Sequence, residues 1–179
     1  MKVTGWKIAG ALAGILLIIL IAGMLSPKDF KIEREIVINK PKAEIFSRLR
    51  SLKQHERWNP WLAADPQAVV EYQGADNVVG ATSSWKGNKA VGSGEQEIKG
   101  IADGSRIDIE LRFHEPMEDI SQSYIITEAI DETHTLVKWG MTGENQFPGN
   151  LIFTALDLRT KLDGDFGRGL KMLKAEIEK

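Results

Sequence analysis

Arg106-Ile107-Asp108-Ile109-Glu110-Leu111-Arg112-Phe113 alternates apolar and charged residues without a break. Successive side chains of a strand point to opposite faces, so Ile107, Ile109, Leu111 and Phe113 share one face while Asp108, Glu110 and Arg112 share the other. One apolar face and one wet face is the pattern of an antiparallel layer covered on one side only. The flanking chain repeats this grammar. Before it, residues 69–72 (VVEY), residues 83–85 (SSW) and a polar strand over residues 95–101 are separated by turns at Gly74, Gly80 and Gly87. After it, residues 121–130 and 135–141 supply two more strands, the last carrying Trp139. Glu95, Glu97, Asp108 and Glu110 read as the solvated face of this sheet.

The run of strands is framed by helices. Residues 31–39 (KIEREIVIN) alternate with Ile32, Ile36 and Ile38 on one side, and Arg34 interrupts that side, marking an edge or a strand end. Pro41 suits a first helical turn, and Ile45, Phe46, Leu49 and Leu52 form the stripe that follows. A loop rich in aromatics and prolines, Trp58-Asn59-Pro60-Trp61 and then Asp65-Pro66, leads into the strands. At the C-terminus, Leu162, Phe166, Leu170, Leu173 and Ile177 recur at helical spacing. Gly164, Gly167 and Gly169 sit oddly there, since each costs about 1 kcal/mol relative to Ala inside a helix. Either the helix starts after them, or they permit close approach to a sheet or ligand. The order predicts an α+β fold with an antiparallel sheet of about seven strands and a long closing helix.

Residues 8–25 (IAGALAGILLIILIAGML) contain no charged or strongly polar group. As a helix these residues reach about 27 Å, close to a hydrocarbon core of about 30 Å. Lys2, Lys7 and Trp6 precede them and Ser26-Pro27-Lys28 ends them. A cleaved secretory signal has the same basic start, but cleavage wants small residues at both −3 and −1. Cutting after Gly23 leaves Ile21 at −3, so a retained anchor over residues 1–26 is favoured, ahead of a domain over residues 27–179. Lys2 and Lys7 on one side against Lys28, Lys31 and Arg34 on the other do not separate the two orientations. A short basic tail usually stays inside, which places the domain on the extracytoplasmic side of a single-pass membrane protein. Gly10 and Gly14, beside Ala9 and Ala13, form a small-x-x-x-small pattern that allows two helices to touch as a homodimer.

Several function classes are disfavoured by composition. Lys plus Arg is 23 and Asp plus Glu is 25, a formal charge of −2, which makes the chain a poor candidate for gripping a phosphate backbone, and nucleic acid is not an expected partner. The absence of cysteine removes disulfides, thiolate metal sites and a thiol nucleophile. His55, His114 and His134 lack metal-ligand spacing, and neither a metal nor a cofactor is expected. No nucleophile with an activating base is evident. His55-Glu56 and His114-Glu115 are adjacent pairs, whose members diverge if they lie on strands. Gly92-Ser93-Gly94 lacks the strand-to-helix context of a phosphate loop and reads as a turn.

Residues 32–46 (IEREIVINKPKAEIF), the Trp58–Trp61 motif with Asp65-Pro66, Gly80, Trp85-Lys86-Gly87-Asn88 and Val91-Gly92-Ser93-Gly94 carry a resemblance. So do Phe113-His114-Glu115-Pro116, Trp139-Gly140-Met141 and Phe166-Gly167-Arg168-Gly169-Leu170-Lys171. Together, over residues 30–179, the chain resembles the START-related helix-grip superfamily, in the SRPBCC branch of polyketide cyclase/dehydrase-like proteins. The resemblance implies a curved antiparallel sheet gripping a long C-terminal helix around an apolar cavity. Members bind lipids, sterols, polyketides or other hydrophobic molecules, a minority catalyse reactions there, and some carry a second, effector-binding domain for which this chain leaves no room.

A sheet curled around one helix has more interior than the helix can fill. The expected lining is Ile109, Leu111 and Phe113, then Val137 and Trp139, with Phe166 and Leu170 from the helix and Met117 at the mouth. Core packing is the competing reading for each of these alone. Trp58, Trp61 and Trp85 lie near turns, where they rim the cavity or, for Trp58 and Trp61, cap the sheet edge. Two functions fit: a membrane-anchored noncatalytic binder of a hydrophobic small molecule or lipid, and a cyclase/dehydrase-like or hydrolase-like enzyme using a cavity acid or base. An inward-facing Glu or His favours the second and an all-apolar wall the first.

Overall fold

The computed structural model describes residues 5–179. The chain opens with α1 (Gly5–Leu25), β1 (Asp29–Ile38) and three short helices, α2 (Lys42–Leu49), α3 (Leu52–His55) and α4 (Pro60–Ala64). Six strands follow: β2 (Val69–Gln73), β3 (Thr82–Lys86), β4 (Ser93–Ala102), β5 (Arg106–Glu115), β6 (Asp119–Ala129) and β7 (Thr135–Glu144). Then come α5 (Gly149–Ala155) and α6 (Leu158–Ile177).

All seven strands form one antiparallel sheet in the order β1-β7-β6-β5-β4-β3-β2, with β1 and β2 at its edges. The alternation that predicts β5 is the alternation observed: Ile107 and Ile109 are buried, while Glu95, Glu97 and Glu110 surround Arg112 on the outer face. Register shifts at Ser93/Gly94 and Ile98/Gly100 interrupt β4, and such bulges bend a strand and add twist. The concave side so produced receives α6, which buries Phe166, Gly169, Leu170, Leu173 and Ile177 and packs chiefly along β1. Arg34, out of place on an apolar face, is answered by Asp163 of α6 across that contact.

Three local expectations need revision. The closing helix begins at Leu158, before the glycines, and among them only Gly169 makes a close approach. A Cβ there would lie 2.5 Å from Cζ3 of Trp139 and 3.2 Å from Cδ of Pro60, whereas Gly164 and Gly167 face open space. Leu52 belongs to α3, whose cap Ser51 accepts from the Gln54 N–H, and Pro41 is the residue before α2, one position outside the helix. The Trp-Asn-Pro-Trp loop is itself a helical turn: the Asn59 side chain accepts the N–H groups of Trp61 at 2.9 Å and Leu62 at 3.1 Å, with Pro60 at the first helical position, where its missing N–H costs nothing.

Within α1, Trp6–Leu25 is long and apolar enough to cross a membrane, a test that signal sequences also pass. Among its described residues the apolar side chains are exposed along the helix and Gly23 alone is buried, where the Phe147 ring fills the space a side chain would take. The buried Asn150 side chain of α5 donates to the Gly23 carbonyl at 2.7 Å, which fastens α5 to the last turn of α1.

Candidate functional site

Along the concave face the inward residues change character. Near the start of β6 they are Ser121 and Ser123, with Ser83 inward on β3, and further along the sheet they become Ile107, Thr127 and Val137. Short side chains on a curved surface leave room; branched ones fill it. The result is a cavity of about 390 Å³ at the serine end and a solid core at the other.

Nine of the eleven expected wall residues line this cavity: Trp58, Trp61, Trp85, Ile109, Leu111, Phe113, Met117, Trp139 and Phe166. Val137 and Leu170 do not. Both lie on the anticipated face but too deep, Val137 two residues before Trp139 and Leu170 one helical turn beyond Phe166, inside the packed half. The back wall is aromatic. Trp139 stacks on Phe166 with ring centroids 4.1 Å apart, and Trp58 meets Trp139 edge-on at 5.0 Å. Trp61 presents its edge to both Trp139 and Phe166, and its Nε1 donates to Asp165 at 3.1 Å. Each such pair contributes about 0.5–1.5 kcal/mol beyond area burial, so this wall is stiff. Trp58 is thus buried, Trp61 half-buried and bound to α6. On the opposite wall Trp85 lies edge-on to Phe113 at 5.8 Å, over its strand partner Gly94, where a Cβ would collide with the indole. Half-exposed Met117 stands at the lip.

Polar groups also reach the cavity. His55 and Glu56 are not strand neighbours that diverge; they end a helical turn, and both line the wall. The His55 Nε2 lies 2.6 Å from the Leu49 carbonyl, which can only accept, so Nε2 carries the proton. Burial pushes the His55 pKa down, against the opposing Leu49 bond and a nearby Asp76. Tyr72 donates to Glu56, and burial, reinforced by that carboxylate, pushes its phenol well above the usual range. Gln96 donates to Ser83 at 2.9 Å, Ser121 to Asp119 at 3.0 Å, and Ser123 to the Gly140 carbonyl at 3.0 Å while accepting the Trp139 Nε1 at 3.2 Å. The ionisable groups of the wall besides Tyr72 are His55, Glu56, Glu115 and Asp119; no lysine or arginine of the described residues is among them. His114, next to Glu115, is exposed. The roof is α5, for which no element was expected: Phe153 stacks on Phe30 at 4.9 Å, and both line the cavity with Gly149. No group of three or more metal-binding side chains occurs among the described residues.

A curved seven-stranded sheet closed by a terminal helix over a hollow, mainly aromatic interior is the helix-grip fold. The chain belongs to the polyketide cyclase / dehydrase and lipid transport family, whose sequence pattern matches residues 29–178. Solved structures share the fold at low identity. Norcoclaurine synthase from Thalictrum flavum, in complex with dopamine and hydroxybenzaldehyde, is 10% identical with a TM-score of 0.65, covering 88% of this chain and 91% of its own. The Aha1 dimer protein from Colwellia psychrerythraea is 16% identical, TM-score 0.58, covering 83% and 96%. A protein of Chromobacterium violaceum is 14% identical, TM-score 0.59, covering 83% and 97%. No curated protein matches the chain.

Proposed function

We propose that this chain is a membrane-anchored, noncatalytic domain that holds a hydrophobic small molecule or lipid in its cavity. The observation that carries the reading is the volume of about 390 Å³ behind a mainly aromatic and aliphatic wall, within the range of about 300–1,000 Å³ usual for ligand pockets. Burying about 400 Å² of apolar ligand surface supplies about 10 kcal/mol gross, before the entropy of association is subtracted. Most polar groups of the wall are already hydrogen-bonded within the protein, so they ask little of a ligand. With carboxylates but no lysine or arginine among the described wall residues, the site suits an uncharged or amine-bearing amphiphile better than a fatty acid anion. α1 would hold residues 27–179 beside the membrane in which such molecules dissolve, on the extracytoplasmic side if the short basic tail stays inside. Gly10 and Gly14 present open faces, which supports a second copy packing there.

Gentle purification of the full chain in detergent, followed by native mass spectrometry and extraction, tests the reading. A copurifying apolar species released on unfolding is expected; its absence, together with a blank thermal-shift screen of hydrophobic compounds, would refute it. A reporter on the C-terminus reads sidedness.

One observation favours the second reading, an acid/base enzyme of the cyclase/dehydrase or hydrolase type: His55 and the Tyr72–Glu56 pair reach the same hollow. His55 then acts as a neutral base through Nδ1, with Nε2 held by Leu49. Conversion of the copurifying molecule by wild type but not by His55→Gln would establish it.

A further inference from the structure

Strand register shows which end of the sheet faces α1. Asp29 of β1 pairs with Glu144 of β7, Gly143 of β7 with Ser121 of β6, Asp119 of β6 with Phe113 of β5, and Glu115 of β5 with Ser93 of β4. The start of β1, the end of β7, the β5–β6 turn and the start of β4 therefore stand side by side. This is the serine end, where Glu115, Pro116 and Met117 are exposed in the cavity wall with Asn145 nearby; Glu56 and Ala90 are the other exposed wall residues. The chain leaving α1 joins the sheet at this same place, the Asn145 N–H donating to the Lys28 carbonyl at 2.7 Å.

The connection is short. Ser26, Pro27 and Lys28 alone separate α1 from β1, so Asp29 lies at most about 14 Å of chain from the helix end. A headgroup layer is about 5–7 Å deep on each side of the hydrocarbon core. The Asn150 bond to the Gly23 carbonyl holds α5 down against the last turn of α1. Around the lip, apolar side chains face outward: Met117 is 49% exposed and Leu156 63%, with Ile120, Phe147 and Ile152 also uncovered.

The geometry points to a cavity whose lip rests on the bilayer that holds α1, with α5 and the β5–β6 turn seated among the headgroups, so that ligand passes between lipid and cavity without crossing water. This rests on α1 spanning a membrane. The occupant of the apolar lip is lipid because the three-residue connection and the Asn150 bond bring that face to the helix end.

The chain has no cysteine, so single cysteines carrying an environment-sensitive nitrobenzoxadiazole can be placed freely in the full chain in phosphatidylcholine vesicles containing doxyl-labelled lipid. Five positions are compared: Ile15→Cys in α1, Met117→Cys and Leu156→Cys at the lip, and Asp103→Cys and Glu132→Cys in turns at the far end of the sheet. Blue-shifted emission and quenching are expected at 15, 117 and 156, with water-like, unquenched emission at 103 and 132. Quenching at 15 with 117 and 156 resembling 103 would overturn the inference while leaving the anchor intact. No quenching at 15 would remove the anchor and the inference together. Blue-shifted but unquenched probes at 117 and 156 would mean that protein, not lipid, covers the lip, and would also overturn it.

Discussion

Gly169 is where the gripped helix comes nearest to the aromatic wall, and adding one methyl group there is a quantitative test of the packing. A Cβ would lie 2.5 Å from Cζ3 of Trp139, and that indole cannot retreat, being stacked on Phe166 at 4.1 Å and met by Trp58 at 5.0 Å. Overpacking of this kind costs about 1–3 kcal/mol. The Gly→Ala change also returns about 1 kcal/mol of helix propensity, so the net effect of Gly169→Ala alone is small and ambiguous in sign. Gly164→Ala supplies the internal standard: it lies in the same helix, facing open space, and gains the propensity without the collision. The difference between the two variants isolates the packing cost of about 1–3 kcal/mol, which for a chain of this size corresponds to a melting midpoint lower by about 2–12 °C for Gly169→Ala. Thermal unfolding of the detergent-solubilised full chain, followed by tryptophan fluorescence, reads the difference directly. Equal midpoints for the two variants would refute the close approach of α6 to Trp139.

Other measurements follow from the site and its attachments. Asn150→Ala removes the buried donor to the Gly23 carbonyl; a loss of about 1–3 kcal/mol is expected, read as faster amide exchange in α5 and unchanged exchange in β5. His55 has a folded pKa below its ordinary 6.5, so the unfolded chain binds more protons as the pH drops. The contribution of His55 is therefore present above about pH 6.5 and lost as the pH falls below it. His55→Gln should flatten that part of the stability profile, and an unaltered slope would contradict the burial of a neutral imidazole. The carboxylate-only charge of the wall predicts that dodecylamine displaces a neutral fluorescent probe at lower concentration than dodecanoate; the reverse order would contradict the electrostatic argument.

Periodicity reports which face a residue occupies, and this much was legible. The alternation over residues 106–113 and the stripe from Leu162 to Ile177 predict the sheet and the helix it grips, and both are observed. Periodicity does not report depth along a strand, which is why Val137 and Leu170 were placed with Trp139 and Phe166 although they lie in the filled half. The serines that open the cavity were the missing signal: small polar residues at inward positions of β3 and β6 mark where a core stops being solid. His55 and Glu56 were missed because their relation depends on a single helical turn too short to announce itself in a pattern. α5 has the same weakness, one turn or two after Pro148 with no full amphipathic repeat. What it fastens, and the roof it supplies through Phe153, emerges only when residues far apart in the chain are brought together.

Dividing the interior into a filled half and an open half has a consequence for how such a protein diverges. Enlarging Ser83 or Ser121 would reshape the space offered to a guest molecule while Leu170, Leu173, Ile107 and Val137 continue to hold the chain folded, whereas Ser123 also satisfies the buried Trp139 Nε1 and is less free to change. Changes confined to a few short side chains would thus alter the hollow while leaving the packed half in place. The scaffold is conservative at one end and permissive at the other, and novelty has a place to accumulate.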